Sequence, residues 1–477
     1  MKKNEEDNGL KRQLSMTMCI TLVMGAIIGS GIFTMTGTAI GYIGKAVPVA
    51  FITAAIFIII TNIPSIFQGG ALPATGGSYV YVSRFVHPTF GYIHILNLIM
   101  GTFNIALMGT SAAMYFQPLM PSIPTKVTAA IFILLLAILG SFGVKISGIV
   151  QNIIIIIMIA ALLTFIIPGL GAISSEFVTI GEALFPNTLE FAALWSAVAI
   201  LRYSLMGGGI VFTLGDEVKN PGRTIPASFF IGTALVTLFY CLIGYISVGV
   251  APLEVVANQP LSVSAALILG EHSGAFQFFL VGGALLATLT TLNGSFLIYS
   301  RTLYAAAKDL VLPGFLTTTN KFGVPIVAVW VCAFIGLTVV LLELTVTQLL
   351  SFVSIPGLLL GFIYYIPPIV ISRKLPYCAK NAWFRLPSWL ITLISVSSAI
   401  LLFTLGKSLF DRMETSHYIG MLIFYGLGFV YWFLRLAYLK KQGIDLIANM
   451  KGFHPYWIEL EEKYKNEELQ RIATSDK

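Results

Sequence analysis

Long apolar runs alternate with short polar segments along the whole chain. They sit near residues 16–41, 46–68, 90–117, 127–143, 147–168, 190–215, 226–250, 275–300, 325–343, 346–371, 388–406 and 417–438. A helix needs about 20 apolar residues to cross the hydrocarbon core of a bilayer, so the pattern predicts twelve transmembrane helices. Helices are favoured because a lipid-exposed segment has to satisfy its own backbone N–H and C=O groups. The short alternating segments of a membrane barrel do not occur. The expected fold class is an all-α integral membrane protein.

Composition agrees with the pattern. Of 477 residues, 57% are hydrophobic and 10% charged, with a mean hydropathy of +0.89, whereas a soluble domain carries about 25% charged residues. The net charge of +7 is explained by topology. Twenty-three of the 28 Lys and Arg fall in the tails and even-numbered loops or at their rim, and four in the opposite loops. The last, Arg202, lies within a span. By the positive-inside rule both termini are cytoplasmic, in a multi-pass protein of the cell membrane whose partners include lipid and exclude nucleic acid. Two long outward loops, 169–189 and 251–274, contain Glu176, Glu182, Glu254 and Glu271 but no Lys or Arg. The tail at 439–477 is polar and mixed in charge, and reads as a solvated extension or a cytoplasmic helix.

Candidate chemistry narrows the class. Cys19, Cys241, Cys332 and Cys378 show no disulfide or metal spacing, and none falls in an outward loop, so no disulfide-linked subunit, metal or other cofactor is expected. The first apolar run lacks a small-residue cleavage site after it and reads as a retained helix. Without a Walker motif, direct use of ATP is not expected. A membrane-embedded enzyme needs a mid-depth cluster of His, Asp, Glu or Cys, and His94 has no acidic neighbour in the sequence. The chain is therefore not read as an enzyme.

Two runs are interrupted by glycine. Span 1 holds Gly25-Ala26-Ile27-Ile28-Gly29-Ser30-Gly31-Ile32-Phe33, and span 6 holds Met206-Gly207-Gly208-Gly209. Glycine costs a helix interior about 1 kcal/mol relative to alanine. Spans 1 and 6 open two successive five-helix halves, and paired interruptions at matching positions point to a transporter binding site. An unwound stretch offers free N–H groups to a carboxylate and free carbonyls to an ammonium. The Gly25–Gly29 spacing also suits close helix packing, so that reading stays open.

These residues carry a resemblance. Gly25–Phe33 resembles the first-helix motif of the amino acid–polyamine–organocation (APC) superfamily of amino acid permeases. Leu72-Pro73-Ala74-Thr75-Gly76-Gly77-Ser78-Tyr79-Val80-Tyr81 is similar to its loop before helix 3. Glu217-Val218-Lys219-Asn220-Pro221 with Ile225-Pro226 resembles the loop after helix 6. Ser300-Arg301, Ala305–Ala307, Asp309, Leu312-Pro313 and Phe322-Gly323-Val324-Pro325 resemble the stretch after helix 8. The matches keep their order from residue 16 to about 370.

The resemblance implies a LeuT-like fold. It has a cytoplasmic tail (1–15), two inverted five-helix repeats (16–168 and 169–372) with helices 1 and 6 broken, helices 11 and 12 (373–438), and a cytoplasmic tail (439–477). It implies that Ala26, Ile27, Gly29, Ser30 and Gly31 receive the substrate carboxylate. Met206, Gly207, Gly208 and Gly209 would then take the ammonium, and Tyr203 lie over the substrate. Asn104 resembles a helix 3 residue lining the side-chain pocket, and its seven-residue spacing from Asn97 and Ser111 places the three on one helix face. Thr290, Thr291 and Ser295 fall near a sodium site of sodium-coupled relatives; hydroxyls at helical spacing also commonly bond the backbone.

Three departures bear on mechanism. Many relatives have a lysine on helix 5, seven residues after a glutamine; here the glutamine is Gln151 and the position is Met158, which cannot carry a proton. The acidic or tryptophan residue that several relatives have after the first helix 6 glycine is absent from Gly207-Gly208-Gly209, which argues against a cationic substrate. Arg202 lies twelve residues from Glu190, about 18 Å into the span, where burial costs about 2.5–3.5 kcal/mol. It is expected to meet an acidic substrate, to replace the missing lysine as a fixed charge, or to bond outer-gate carbonyls.

The expected function is secondary amino acid transport by alternating access. The expected mode is exchange or cation-coupled symport of neutral or small amino acids, by a monomer or non-covalent homodimer. An acidic amino acid antiporter using Arg202 and a non-transporting sensor are the alternatives.

Overall fold

The computed structural model describes residues 10–117, 119–186, 190–344, 346–410 and 415–475, and over these the chain is helical, with three isolated β-bridges. Residues 1–9 of the expected N-terminal tail, 187–189 of the first long loop and 476–477 of the C-terminal tail lie outside the described residues.

The chain opens with α1 (Met16–Ile27), whose start is capped by the Ser15 hydroxyl accepting from the Met18 N–H, and continues as α2 (Gly31–Ile43) and α3 (Val47–Ala71). After a loop come α4 (Ser78–Phe85), then α5 (Pro88–Gly101) and α6 (Phe103–Phe116), which meet at Thr102. α7 (Thr125–Ser141), α8 (Val144–Ala172) and the short α9 (Ile180–Leu184) precede α10 (Phe191–Ser204). A 3-10 turn at Gly208–Thr213 leads to α11 (Pro221–Gly249), followed by α12 (Leu253–Val256) and α13 (Leu261–Leu269). α14 (Gly274–Phe278) runs through a π-helical stretch, Phe279–Leu285, into α15 (Leu286–Lys308). α16 (Ile326–Leu341), α17 (Val346–Leu359), α18 (Pro367–Lys374), α19 (Pro376–Asn381), α20 (Ser388–Phe410) and α21 (Thr415–Lys441) follow. The chain finishes with α22 (Leu446–Lys451) and α23 (Pro455–Ser475).

Among the described residues six helical stretches are long and apolar enough to cross a membrane: Gly31–Ala71, Pro88–Phe116, Val144–Ala172, Pro221–Gly249, Gly274–Lys308 and His417–Lys441. Five shorter apolar helices accompany them. The 41-residue stretch Gly31–Ala71 would be about 60 Å long as one helix, twice the hydrocarbon thickness. It is in fact divided at Gly44, whose φ of 59° turns the chain between α2 and α3.

Buried apolar side chains gather into two large clusters. One joins α1, α2, most of α3, α8, α10 and α11. The other joins α4, α5, α6, α7, α16, α18 and α22 with Trp432 and Trp457. α15 lends side chains to both, Leu297 to the first and Leu292 and Phe296 to the second. The N-terminal segment and the C-terminal helices meet at one end of the bundle, where the Arg12 guanidinium lies 4.7 Å over the Tyr456 ring. This is called the terminal end below. The C-terminal tail differs from the sequence expectation of a solvated extension, because Trp457 is wholly buried in the second cluster.

Candidate functional site

Helix α1 stops at Ile27 and α2 starts at Gly31, so the first break spans 28–30. Here the carbonyls that end one helix and the N–H groups that start the next have no partner inside their own helices. One carbonyl is answered from α15. The Gly25 oxygen accepts from Thr290 Oγ1 at 2.9 Å and from Thr291 Oγ1 at 3.3 Å. The two threonines thus cap the end of α1 with their hydroxyls.

The second break follows Ser204, the last residue of α10. Gly207 takes φ 119°, a value that side-chain-bearing residues rarely adopt. The chain then tightens into the 3-10 turn, so the break lies at 205–207, just ahead of most of the glycine cluster.

The two breaks touch. A β-carbon on Gly207 would land on the Ala26 carbonyl oxygen, and one on Gly31 would come within 2.8 Å of Ser204 Cβ. Tyr240 of α11, fully buried, sends its hydroxyl between them, 3.4 Å from the Ile27 oxygen and 3.3 Å from the Ser204 oxygen. Ala26, Ile27, Gly31, Ser204, Gly207 and Gly208 therefore meet at one crossing point, with Gly29, Ser30, Met206 and Gly209 next to them in the chain.

Polar side chains approach it from the second cluster. A β-carbon on Gly29 would lie 3.5 Å from Thr291 Oγ1. Ser295 Oγ donates to the Thr291 oxygen at 2.9 Å and accepts from Asn104 Nδ2 at 2.8 Å. Asn104, Thr291 and Ser295 thus form a connected wall beside the first break. Asn97 does not join it. Asn97, nearly two turns away along the helix, instead bonds Tyr364 at 3.3 Å and accepts from the Tyr425 hydroxyl at 2.5 Å.

Behind α1 runs a buried polar chain. Ser147 Oγ donates to Asn293 Oδ1 at 3.0 Å, and Asn293 Nδ2 donates to Gln151 Oε1 at 2.9 Å. Gln151 Nε2 has no partner and fills the place a side chain on Gly25 would need. That contact, more than helix breaking, explains why position 25 is glycine. Met158, on the same helix as Gln151, is wholly buried in the first apolar cluster.

Tyr203 and Met206 are 42% and 43% exposed. Arg202 is half-buried beside them, its Nη1 3.6 Å from Met206 Sδ, with buried Tyr365 as its other electrostatic neighbour. Among the described residues no carboxylate lies within ion-pair distance of Arg202, and no carbonyl bonds it.

From the breaks toward the terminal end the way is filled. Leu14, Val218, Ile210, Glu217 and Arg301 are each at most 1% exposed. Arg301 of α15 grips Glu217 through two bonds of 3.0 Å, Nε to Oε2 and Nη2 to Oε1. The Glu217 carbonyl also accepts from the N–H groups of Gln13 and Leu14. The loop at 72–77 closes over the same stretch: Gly76 N–H donates to the Thr213 oxygen, Gly215 N–H to the Ala74 oxygen, and Thr75 N–H to Asp216 Oδ2 at 3.0 Å. Sequence reasoning picked out Glu217 and Arg301 as separate motif residues but not as a pair, and missed Tyr240 and Trp457.

Comparison with known proteins places this geometry. The family model for amino acid permeases matches residues 19–441. A serine/threonine exchanger of Bacillus subtilis (strain 168) is 25% identical over 447 residues, covering 88% of this chain and 98% of its own. A branched-chain amino acid permease of the same organism is 26% identical over 397 residues, with 77% and 82% covered. Its methylthioribose transporter is 25% identical over 356 residues, with 69% and 75% covered.

Proposed function

This chain belongs to the amino acid permease family, and from that premise we propose that it carries neutral or small amino acids across the cell membrane by alternating access, mainly in exchange. The observation that carries the proposal is the contact between the two helix breaks, Ala26 against Gly207 and Gly31 against Ser204. It supports two inverted five-helix repeats, 16–168 and 169–372, while the apolar runs support twelve spans with 373–438 added, and the Lys and Arg distribution supports termini in the cytoplasm.

In this reading the substrate carboxylate sits on the N–H groups at the start of α2, around Gly29, Ser30 and Gly31, where the helix dipole is positive. The ammonium faces carbonyls at 26–27 and 206–209. The substrate side chain lies between Tyr203 and the wall of Asn104, Thr291 and Ser295. No carboxylate belongs to this set, and an unpaired cation buried there would be costly, which favours neutral substrates. The exposed Tyr203 and Met206, with Glu217 and Arg301 sealed below them, correspond to a state open on the side away from the termini.

One feature supports exchange over proton coupling: Met158, at the helix 5 position, offers no titratable group. The serine/threonine exchanger among the relatives agrees with this mode. Melting temperature measured against each of the twenty amino acids and methylthioribose identifies the substrate; stabilisation by methylthioribose alone would overturn the amino acid reading. Counterflow in liposomes at equal pH, with no sodium gradient or membrane potential, tests exchange. Uptake that requires an imposed ion gradient refutes it, and binding without flux supports a sensor.

Arg202 favours one further reading, an acidic amino acid antiporter, because the side chain is charged, half-buried at the break and without a carboxylate partner. In the same screen, stabilisation by glutamate that disappears in Arg202→Leu supports it. An unchanged selectivity pattern in that variant refutes it.

A further inference from the structure

Twelve of the 36 residues beyond α21 are charged, yet the tail is anchored at several points to the elements that close the terminal end. The Trp457 ring stacks on Tyr81 at 5.7 Å and on Phe85 at 5.9 Å, and its Nε1–H donates to the Pro73 oxygen at 3.0 Å. Glu461 accepts from the backbone N–H groups of Tyr377 (3.0 Å) and Cys378 (2.7 Å) and so caps the start of α19. Asn449 Nδ2 donates to the oxygen of Asp309, the residue that ends α15, at 2.8 Å. Tyr456 lies under Arg12 of the N-terminal segment.

These anchors straddle the gate. Arg12 belongs to the N-terminal segment whose next residues, Gln13 and Leu14, bond the Glu217 carbonyl, while Pro73 leads into α4, whose Tyr79 and Arg84 bond the Asp309 carboxylate. Asp309 belongs to the helix that carries Arg301. Opening the terminal end requires Glu217 to part from Arg301, so the 213–217 stretch moves relative to α15. The tail's contact with Arg12 and its bond to Asp309 cannot both survive that motion.

We propose that α22 and α23 form a latch that holds the terminal end shut and has to lift from it before that end opens. The tail is thereby part of the transport cycle as well as of the fold. The proposal rests on the closed gate geometry and not on the identity of the substrate.

Cys378 is a natural reporter. It is 1% exposed, and its Sγ lies 3.8 Å from the Trp457 oxygen. Burial pushes its thiol pKa up, so a docked tail leaves it unreactive toward maleimide, which attacks the thiolate. A second reporter is a cysteine at Ile210, buried between the second break and the gate.

The test uses the full chain in liposomes, with maleimide sites mapped by mass spectrometry and no substrate added. Trp457→Ala is expected to raise the labelling rate of Cys378 at least tenfold, and to make Ile210→Cys reactive from the terminal side. Trp457→Phe, which keeps the ring and loses the N–H, is expected to fall between. Glu461→Gln weakens the α19 cap and leaves the Trp457 site filled, so it shows the same order if Trp457→Ala does not fold. Free labelling of Cys378 with Ile210→Cys still protected would overturn the proposal, since the tail would then be only a cover. Because no amino acid enters these measurements, their failure is distinct from failure of the transport reading.

Discussion

Removing Arg301 puts the gate to its most direct test. Arg301 and Glu217 are both about 1% exposed and share two bonds of 3.0 Å. Taking away one partner of such a pair costs about 3–5 kcal/mol, because the remaining charge stays buried and unpaired. In a transporter that charge has an escape: opening the terminal end lets water reach Glu217. If the pair exists only in the terminal-closed state, its loss moves the balance between states by about 150- to 4,000-fold. The assay is a cysteine at Met206, exposed in the present state, labelled by an impermeant maleimide from the side away from the termini. Arg301→Gln is expected to cut that labelling rate at least tenfold. Glu217→Gln/Arg301→Gln, two neutral amides able to bond each other, is expected to recover much of it. If Arg301→Gln lowers the melting temperature while Met206→Cys labels as fast as before, the pair is structural glue and not a gate.

Gly207→Ala places a β-carbon at φ 119° and onto the Ala26 carbonyl; the backbone term alone is about 1–2 kcal/mol, and uptake is expected to fall at least 50-fold. Gly209→Ala meets only the Phe212 ring at 3.5 Å and is expected to stay within threefold of the parent. Tyr240→Phe removes the hydroxyl shared by the Ile27 and Ser204 carbonyls, at a cost of about 1–2 kcal/mol. A melting temperature and substrate affinity both unchanged would show that the hydroxyl does not tie the breaks. His454 gives the tail a pH dependence. Burial lowers its pKa from the ordinary 6.5, Arg84 and Lys308 also lower it, and Asp216 and Asp309 raise it. The released tail therefore takes up a proton first, and docking is weakened as pH falls from 6.5 toward the lowered value. Cys378 labelling, taken as a ratio to that of a solvent-exposed cysteine whose thiolate fraction falls with pH in the same way, is expected to rise from pH 7 to pH 5, and to lose that rise in His454→Asn.

The helices were legible because lipid requires long apolar runs, and the breaks because glycine clusters weaken a helix where water cannot repair it. What stayed hidden was pairing over distance. Glu217 and Arg301 are 84 residues apart, and nothing local to either names the other, although two opposite charges at the rims of apolar runs were an available hint. The exact place of the second break was also obscure, because Gly208 and Gly209 enter a 3-10 turn and only Gly207 needs its left-handed backbone. The spacing of Asn97 and Asn104 could not tell that they meet different partners, Tyr364 and Tyr425 for the first and Ser295 for the second. The tail misled because it is far richer in charge than the spans before it. The run His454-Pro455-Tyr456-Trp457 was the one aromatic signal that it docks.

The two apolar clusters have a mechanical consequence. Much of what joins them is polar: hydroxyls on a carbonyl at Gly25, the arginine on Glu217, the amide and hydroxyl at Asn104 and Ser295. Packed methyl groups resist separation because nothing replaces their contacts, whereas water replaces a hydrogen bond almost in kind. Sliding one cluster past the other therefore leaves each interior intact and exchanges seam bonds for hydrated ones. Parting the halves along this seam costs less than opening either interior, provided that water can enter as the bonds break.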